Sequence, residues 1–143
     1  MALKDKVIPA DFVLDEAIAS AIRSHLKDST LACATAFIIA AELDRPPLLI
    51  GQTADALALH LSHCQLGLFG YPGHKKGWDA ANIAARPVPE GLEDALREVV
   101  RDGILTCPAA WQLAARYAIP KMLVSYVADR LGFRIAGCQL GVF

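Results

Sequence analysis

Cysteine and histidine are the residue types in this chain that could hold a metal or carry out redox chemistry. The cysteines are Cys33, Cys64, Cys107 and Cys138. Thirty residues separate the two members of each successive pair, whereas zinc ribbons and thioredoxin-type sites use much closer pairs such as CxxC. His60 and His63 lie beside Cys64, but Arg134 and Gly137 take those places beside Cys138. We therefore predict buried, structural thiols, with metal or redox sensing by Cys64 and Cys138 as the alternative.

Motifs of enzyme chemistry are missing from the sequence. It has no glycine-rich phosphate loop, no nucleophile elbow and no HExxH zinc motif. The four histidines all precede residue 75, so the second half of the chain has no general base of this type. The sequence therefore predicts a protein that is not an enzyme and has no cofactor, no bound metal and no small-molecule substrate.

One segment occurs twice in the chain. After a shift of 74 residues, Glu16–Phe69 aligns with Glu90–Phe143 without a gap, and 19 of the 54 pairs are identical. Ordinary composition would give only ~3–4 matches by chance. Both copies end in the same signature, Cys-Gln-Leu-Gly-x-Phe. This predicts two copies of one fold: a leader at 1–15, repeat 1 at 16–69, a linker at 70–89 and repeat 2 at 90–143.

Each repeat is predicted to contain three helices. In repeat 1, Ile18, Ile22 and Leu26 have the spacing of one buried helical face. In repeat 2, Thr106 or Cys107 begins the second helix, because the proline that follows suits a first helical turn. We expect a buried stripe of Trp111, Ala114 and Ala115 on this helix, matched by Phe37, Ala40 and Ala41 in repeat 1. The third helix is predicted to begin at Pro120 and to end near Leu131.

A short strand is predicted after the third helix, at Phe133–Ile135, with Cys138–Phe143 continuing in an extended form. A lone strand leaves its backbone hydrogen-bonding groups unsatisfied. We therefore expect the two tails to pair between the copies. In the leader, the alternating Val7, Ile8, Phe12 and Val13 predict packing on the body of the protein.

Three helices with a tight break between the second and the third resemble the tandem helix-turn-helix, winged-helix-like DNA-binding regulators. The resemblance covers Ala110–Leu131, with the small Ala114 facing the next helix and Val124 and Val127 locking the third helix. Glycine is usual at the turn of that family, but here Ala118 stands there, and Asp44 in repeat 1. The resemblance implies a mainly α protein made of two tri-helical helix-turn-helix repeats, each with a short extended C-terminal tail. The implied function is sequence-specific binding of double-stranded DNA in transcription regulation.

The outward face of the third helix in repeat 2 carries the residue types that contact phosphates and bases. We predict phosphate contacts from Lys121, Arg130 and Arg134, with Ser125 and Tyr126 nearest the bases. Lys75 and Lys76 in the linker could follow a neighbouring phosphate backbone. The predicted DNA-binding residues are therefore Lys75, Lys76, Lys121, Ser125, Tyr126, Arg130 and Arg134.

Charge separates the two repeats, although the whole chain has a net charge of only −1. Residues 116–143 carry four Lys and Arg against one Asp, whereas the matching residues 42–69 carry one Arg against three acidic residues. A polyanionic partner is therefore expected to prefer repeat 2. The acidic first repeat favours the alternative, a protein-interaction module with the same fold that does not bind DNA. A homodimer is compatible with either function.

The apolar fraction of 55% fits a domain with an extensive core. No apolar run approaches the ~20 residues that cross a membrane. Lys4, Asp5, Lys6 and Asp11 are unlike a signal peptide. We therefore expect a cytoplasmic protein with no membrane partner.

Overall fold

The computed structural model describes residues 12–143, and most of the regular structure in that range is helical. The helices are α1 (Glu16–Ser24), α2 (Cys33–Leu43), α3 (Pro47–Ala56), α4 (Gly77–Ala80), α5 (Leu92–Val99), α6 (Cys107–Tyr117) and α7 (Lys121–Arg130), with a 3₁₀ helix at Ile83–Ala85. The strands are β1 (Thr30–Ala32), β2 (His60–Ser62), β3 (Ile104–Thr106) and β4 (Arg134–Ala136). Each repeat thus has the order helix, strand, helix, helix, strand. The predicted packing of Val7 and Ile8 lies outside the described residues, whereas Val13 is 83% exposed, so its predicted packing on the body of the protein is wrong.

The chain folds into two compact units, and their bounds differ from those of the two sequence repeats. Unit 1 contains the described residues up to Cys64 together with Gln139–Phe143, and unit 2 contains Gln65–Cys138. In both copies the chain therefore passes into the other unit directly after the cysteine of the signature, Cys64 or Cys138. The last residues of each repeat pack in the unit built from the other repeat. The predicted boundaries at 69/70 and 89/90 describe the sequence repeat and stay a prediction.

The strands pair within a repeat, so the expected pairing of the two tails with each other is wrong. β1 pairs with β2 in parallel, with Leu31 opposite Leu61, and β3 pairs with β4 in the same way, with Leu105 opposite Ile135. The backbone groups of β2 and β4 thus form hydrogen bonds with β1 and β3, the strands that lead into the second helix of the same repeat. The residues that follow β2 and β4 turn instead of running extended.

The predicted helix boundaries in repeat 2 are confirmed. Thr106 Oγ accepts a hydrogen bond of 3.3 Å from the Ala109 N–H and caps α6. α6 ends at Tyr117, and Ala118 takes the left-handed conformation with φ 53°. Pro120 then precedes α7. Repeat 1 breaks in the same way, with Asp44 at φ 52° and Pro46 before α3.

The buried stripe of α6 differs from the predicted one. Cys107, Ala110, Leu113 and Ala114 are buried, whereas Trp111 is half-buried and Ala115 is exposed. Residues 107, 110 and 114 follow the 3.6-residue period, so the helix faces its core about one position away from the predicted register. Phe37, at the equivalent position of α2, is half-buried as well.

The two exchanged segments, Gln65–Phe69 and Gln139–Phe143, each insert one leucine into a core. Leu66 and Leu140 are both 1% exposed and rank among the largest fully buried side chains. In unit 2, the Ser125 hydroxyl on α7 donates hydrogen bonds to the Leu66 carbonyl oxygen and, within the helix, to the Met122 carbonyl oxygen. In unit 1, a Cβ added at Gly51 on α3 would collide with the Leu140 carbonyl oxygen. A small residue at this helix position therefore lets the segment approach.

Replacing Ala118 by glycine should raise the free energy of unfolding by about 0.5–1 kcal/mol, because glycine takes a positive φ without the steric cost of a Cβ. Ala115→Gly is the matched control, since Ala115 is exposed inside α6 and its change should cost about 1 kcal/mol. Urea unfolding of both variants gives the two values. A loss of similar size in both would contradict the left-handed assignment.

Replacing Ser125 by alanine should lower the free energy of unfolding by about 1–3 kcal/mol, because the buried Leu66 carbonyl loses its donor. Ser24→Ala is the control: the exposed Ser24 hydroxyl also bonds the carbonyl three residues earlier, but it reaches no other segment in unit 1. Its effect should stay within about 0.5 kcal/mol. Equal effects, measured by urea unfolding, would show that the bond to Leu66 contributes nothing.

Candidate nucleic-acid interface

All seven residues predicted to bind DNA lie in unit 2. This unit holds nine Lys and Arg against seven Asp and Glu, whereas the described part of unit 1 holds three against six. The excess of positive charge is therefore confined to the unit that contains α7. An anionic polymer would meet a repulsive surface on unit 1 and an attractive one on unit 2.

Ser125 is not on an outward face, contrary to the register used in the sequence analysis. Its exposed fraction is 0%, because residues 65–69 cover this part of α7. A Cβ added at Gly67 would lie 3.3 Å from Met122 Cγ and 3.3 Å from Trp78 Cε3. The middle of the predicted recognition helix is therefore occupied by packing, and Ser125 has no path to a base edge in this conformation.

Four residues form a continuous row that we call the cation–aromatic cluster: Lys76, Trp78, Tyr126 and Arg130. The rings of Trp78 and Tyr126 meet edge to face, with their centroids 6.0 Å apart. Lys76 Nζ lies 5.4 Å from the centroid of the Trp78 ring. The Arg130 guanidinium carbon lies 5.7 Å from the centroid of the Tyr126 ring. The cluster thus has a cation at each end and two rings between them.

A hydrogen bond holds the arginine of this cluster. Arg130 Nη1 donates to Tyr126 Oη over 3.0 Å, and this bond raises the pKa of the guanidinium above its usual value. The arginine therefore keeps its charge at every physiological pH. Because Tyr126 lies four residues earlier on α7, the bond also lies along the helix and fixes the direction of the guanidinium.

The cluster is assembled by two elements that are far apart in the sequence. Lys76 precedes α4, the single helical turn in which Trp78 is 7% exposed. Tyr126 and Arg130 lie one turn apart on α7. Trp78 of the linker therefore packs against α7 within unit 2. The linker sequence Lys-x-Trp could have drawn attention to Trp78, but no local signal pairs it with Tyr126.

The other predicted residues lie outside the cluster. Lys121 Nζ lies 4.7 Å from the centroid of the Trp111 ring, which belongs to α6. Arg134 is exposed on β4, and Lys75 is exposed in the linker. Among residues 12–143, the ion pairs join Arg45 to Asp15 and Arg97 to Glu93 and Asp94. None of the five predicted phosphate-binding cations takes part in them, so each can meet an anion without breaking an ion pair.

The cysteines show no disulfide: Cys33, Cys64 and Cys107 are buried thiols, and Cys138 is a half-buried one. Over the described range, no three His, Cys, Asp or Glu side chains come together as metal ligands. Over the same residues, no helix is both long and apolar enough to cross a membrane. The cytoplasmic location stays a prediction.

Compared with the models of known families, with curated proteins and with solved structures, the chain matches none.

The two tryptophans should differ in their contribution to stability. Trp78→Ala should cost about 3–5 kcal/mol, because the ring is buried beside α7. Trp111→Ala should cost less than about 3 kcal/mol, because this ring is half-buried. Urea unfolding followed by far-ultraviolet circular dichroism measures both. A larger loss at Trp111 than at Trp78 would contradict this assignment of burial.

Proposed function

We propose that the protein is a small DNA-binding regulator whose binding surface lies in unit 2. The observation that carries the proposal is that the five predicted phosphate-binding cations of that unit take part in no ion pair, and two of them lie at the ends of the cation–aromatic cluster. Unpaired lysines and arginines bind phosphates by releasing the counterions of the nucleic acid. Five such groups are enough to make the affinity strongly dependent on salt.

The helix-turn-helix interpretation is supported by the packing of α6 and α7. Ala114 is 4% exposed on α6, while Val124 and Val127 are buried on α7. These are the positions at which such motifs need a small residue and two apolar ones. The left-handed Ala118 makes the turn that glycine usually makes. The proposal therefore keeps α6 and α7 as the helix-turn-helix pair of unit 2.

The contacts in this proposal go mainly to phosphates. The covered middle of α7 removes Ser125 from the set of contacts, while Lys121 at the start of the helix and Arg130 at its end keep their charges available. Lys75, Lys76 and Arg134 extend the same set. Tyr126, which is half-buried, is the residue left near the bases. This arrangement supports binding to any duplex better than discrimination between base sequences.

A protein-interaction module is the second candidate, and unit 1 favours it. This unit has an acidic excess, and Ile38 and Leu48 are 52% and 48% exposed, which is high for such large apolar side chains. Exposed apolar groups on an acidic surface suit a protein partner rather than a polyanion. The covered face of α7 is equally compatible with this candidate.

Fluorescence polarisation with random duplex DNA at several salt concentrations should show binding that weakens steeply as salt rises. Lys121→Ala and Arg130→Ala should each weaken binding to all duplexes alike and lower the salt slope by about one unit, because each removes one cation from the phosphate backbone. The matched control is Arg97→Ala, because Arg97 lies in the same unit but is already paired with Glu93 and Asp94. Its effect, like that of Gln52→Ala on α3, should be much smaller.

Equal losses of affinity from Lys121→Ala and Arg97→Ala would show that bulk charge, and not the unpaired set, attracts the DNA. Equal losses from Lys121→Ala and Gln52→Ala would show that both repeats contact the duplex. If the parent protein binds no duplex at low salt, DNA binding is wrong and the interaction module takes its place.

A further inference from the structure

The exchanged segments Gln65–Phe69 and Gln139–Phe143 occupy the same place in two different units. Five of the six residues in the signature Cys-Gln-Leu-Gly-x-Phe are identical between the copies, whereas 19 of 54 are identical over the whole repeat. In each unit the segment lies against the third helix of the opposite repeat, α3 in unit 1 and α7 in unit 2. The chain therefore contains two independent instances of one segment bound to one kind of groove.

Two contacts recur at equivalent helix positions. The carbonyl of Leu140 lies against Gly51, and the carbonyl of Leu66 accepts the hydroxyl of Ser125, which is the residue 74 positions after Gly51. The glycine that follows each leucine is the second contact. A Cβ at Gly141 would lie 2.7 Å from Leu48 Cδ1, and one at Gly67 would lie 3.3 Å from Cγ of Met122, 74 positions after Leu48.

Backbone conformation explains why the signature contains this glycine. Gly67 has φ 80° and Gly141 has φ 76°, and residues with a side chain seldom adopt such values. The turn brings the preceding leucine into the core and places the backbone directly on the helix. In unit 1 the segment also buries Val142, which is 3% exposed. Recognition thus depends on a buried leucine, a glycine turn and a second apolar anchor.

Neither segment belongs to a strand, so no backbone ladder joins it to its unit. It is held as a bound peptide is held, by side-chain anchors in a groove and by local backbone contacts. Such a groove recognises the sequence of the segment and not the chain that carries it. Exchange of an identical element between copies of a chain is a low-cost route to a dimer.

We propose that the groove of unit 1, formed on α3 around Leu48 and Gly51, is a binding site for a Gln-Leu-Gly-Val-Phe peptide. The segment Gln139–Phe143 of a second copy of this chain can occupy it. Within one chain the covalent link gives the segment a high effective concentration, which keeps the groove filled at low protein concentration. The site becomes available to a second copy when the segment of the same chain is displaced.

Two variants of the full chain separate the groove from the segment. Gly51→Leu blocks the groove of unit 1, because even a Cβ there collides with Leu140, and leaves Gln139–Phe143 intact. Leu140→Asp leaves the groove intact and prevents the segment from binding in it, because a carboxylate replaces a fully buried side chain. Neither variant can fill its own unit 1 groove, but the first can supply the segment that the second lacks.

Mixing the two variants should give a 1:1 heterodimer, detected by sedimentation equilibrium, while each variant alone stays a monomer. We expect a dissociation constant between about 10 µM and 1 mM, since a few apolar anchors provide the affinity. If either variant is unfolded alone, the readout is the helical circular dichroism of the mixture, which should exceed the sum of the two separate spectra.

In a matched control, the double variant Gly51→Leu, Leu140→Asp takes the place of the Gly51→Leu chain. The double variant has neither an open groove nor a segment that can bind. It should bind the Leu140→Asp chain at least about tenfold more weakly, because the buried leucine is the main anchor. A synthetic peptide with the sequence of residues 138–143 should compete with the heterodimer, and its Leu140→Asp form should not.

A mixture that forms no heterodimer and gains no helical signal would overturn the proposal. Equal binding by the double variant would also overturn it, since association would then occur elsewhere on the chain. These measurements contain no DNA, so their outcome is independent of the proposed function.

Discussion

The structure depends on the burial of one leucine from each repeat in the core built by the other repeat. Leu66 and Leu140 are almost completely buried, and each belongs by sequence to the repeat whose unit it has left. A unit of this size has only a small core, so a single fully buried leucine, contributing about 1.5–3 kcal/mol, is a substantial part of its stability. Each repeat therefore depends on a segment from outside its own sequence to complete its core.

The same exchange determines which part of α7 can meet a partner. The helix was predicted to present a recognition face, but its middle holds the segment that arrives from repeat 1 through Ser125 and Met122. The charges lie at the two ends, on Lys121 and Arg130. Packing and charge therefore occupy different residues of one helix. Changes to the end residues can alter the charge of the helix without disturbing the core.

Comparison of the two copies shows which properties the fold requires and which it leaves open. The position under the leucine carbonyl must be small, and Gly51 and Ser125 both satisfy it. By contrast, Pro47 of repeat 1 corresponds to Lys121 of repeat 2, where the ammonium lies over Trp111. The charge at the start of the third helix thus differs between the two repeats, although the order of the elements is the same.

The break between the second and third helices of each repeat follows from local chemistry, and for this reason the sequence alone predicted it. Proline cannot continue a helix, so Pro46 and Pro120 separate the second and third helices of each repeat. The threonine cap of α6 is equally local. The repeat itself needs only a comparison of the chain with itself, and the order helix, strand, helix, helix, strand occurs in both copies.

Contacts between distant residues were decided only by the tertiary structure. The burial of Ser125 and the meeting of Trp78 with Tyr126 depend on where a remote segment packs. Helical periodicity gives the direction in which a side chain points but not what covers it, and here the covering residues come from repeat 1 and from the linker. The strand partners were missed for a related reason, because three-residue strands carry too few side chains to show a pattern. Sequence could therefore predict the second and third helices of each repeat, whereas the exchange of segments depends on the free energy of filling two cores at once.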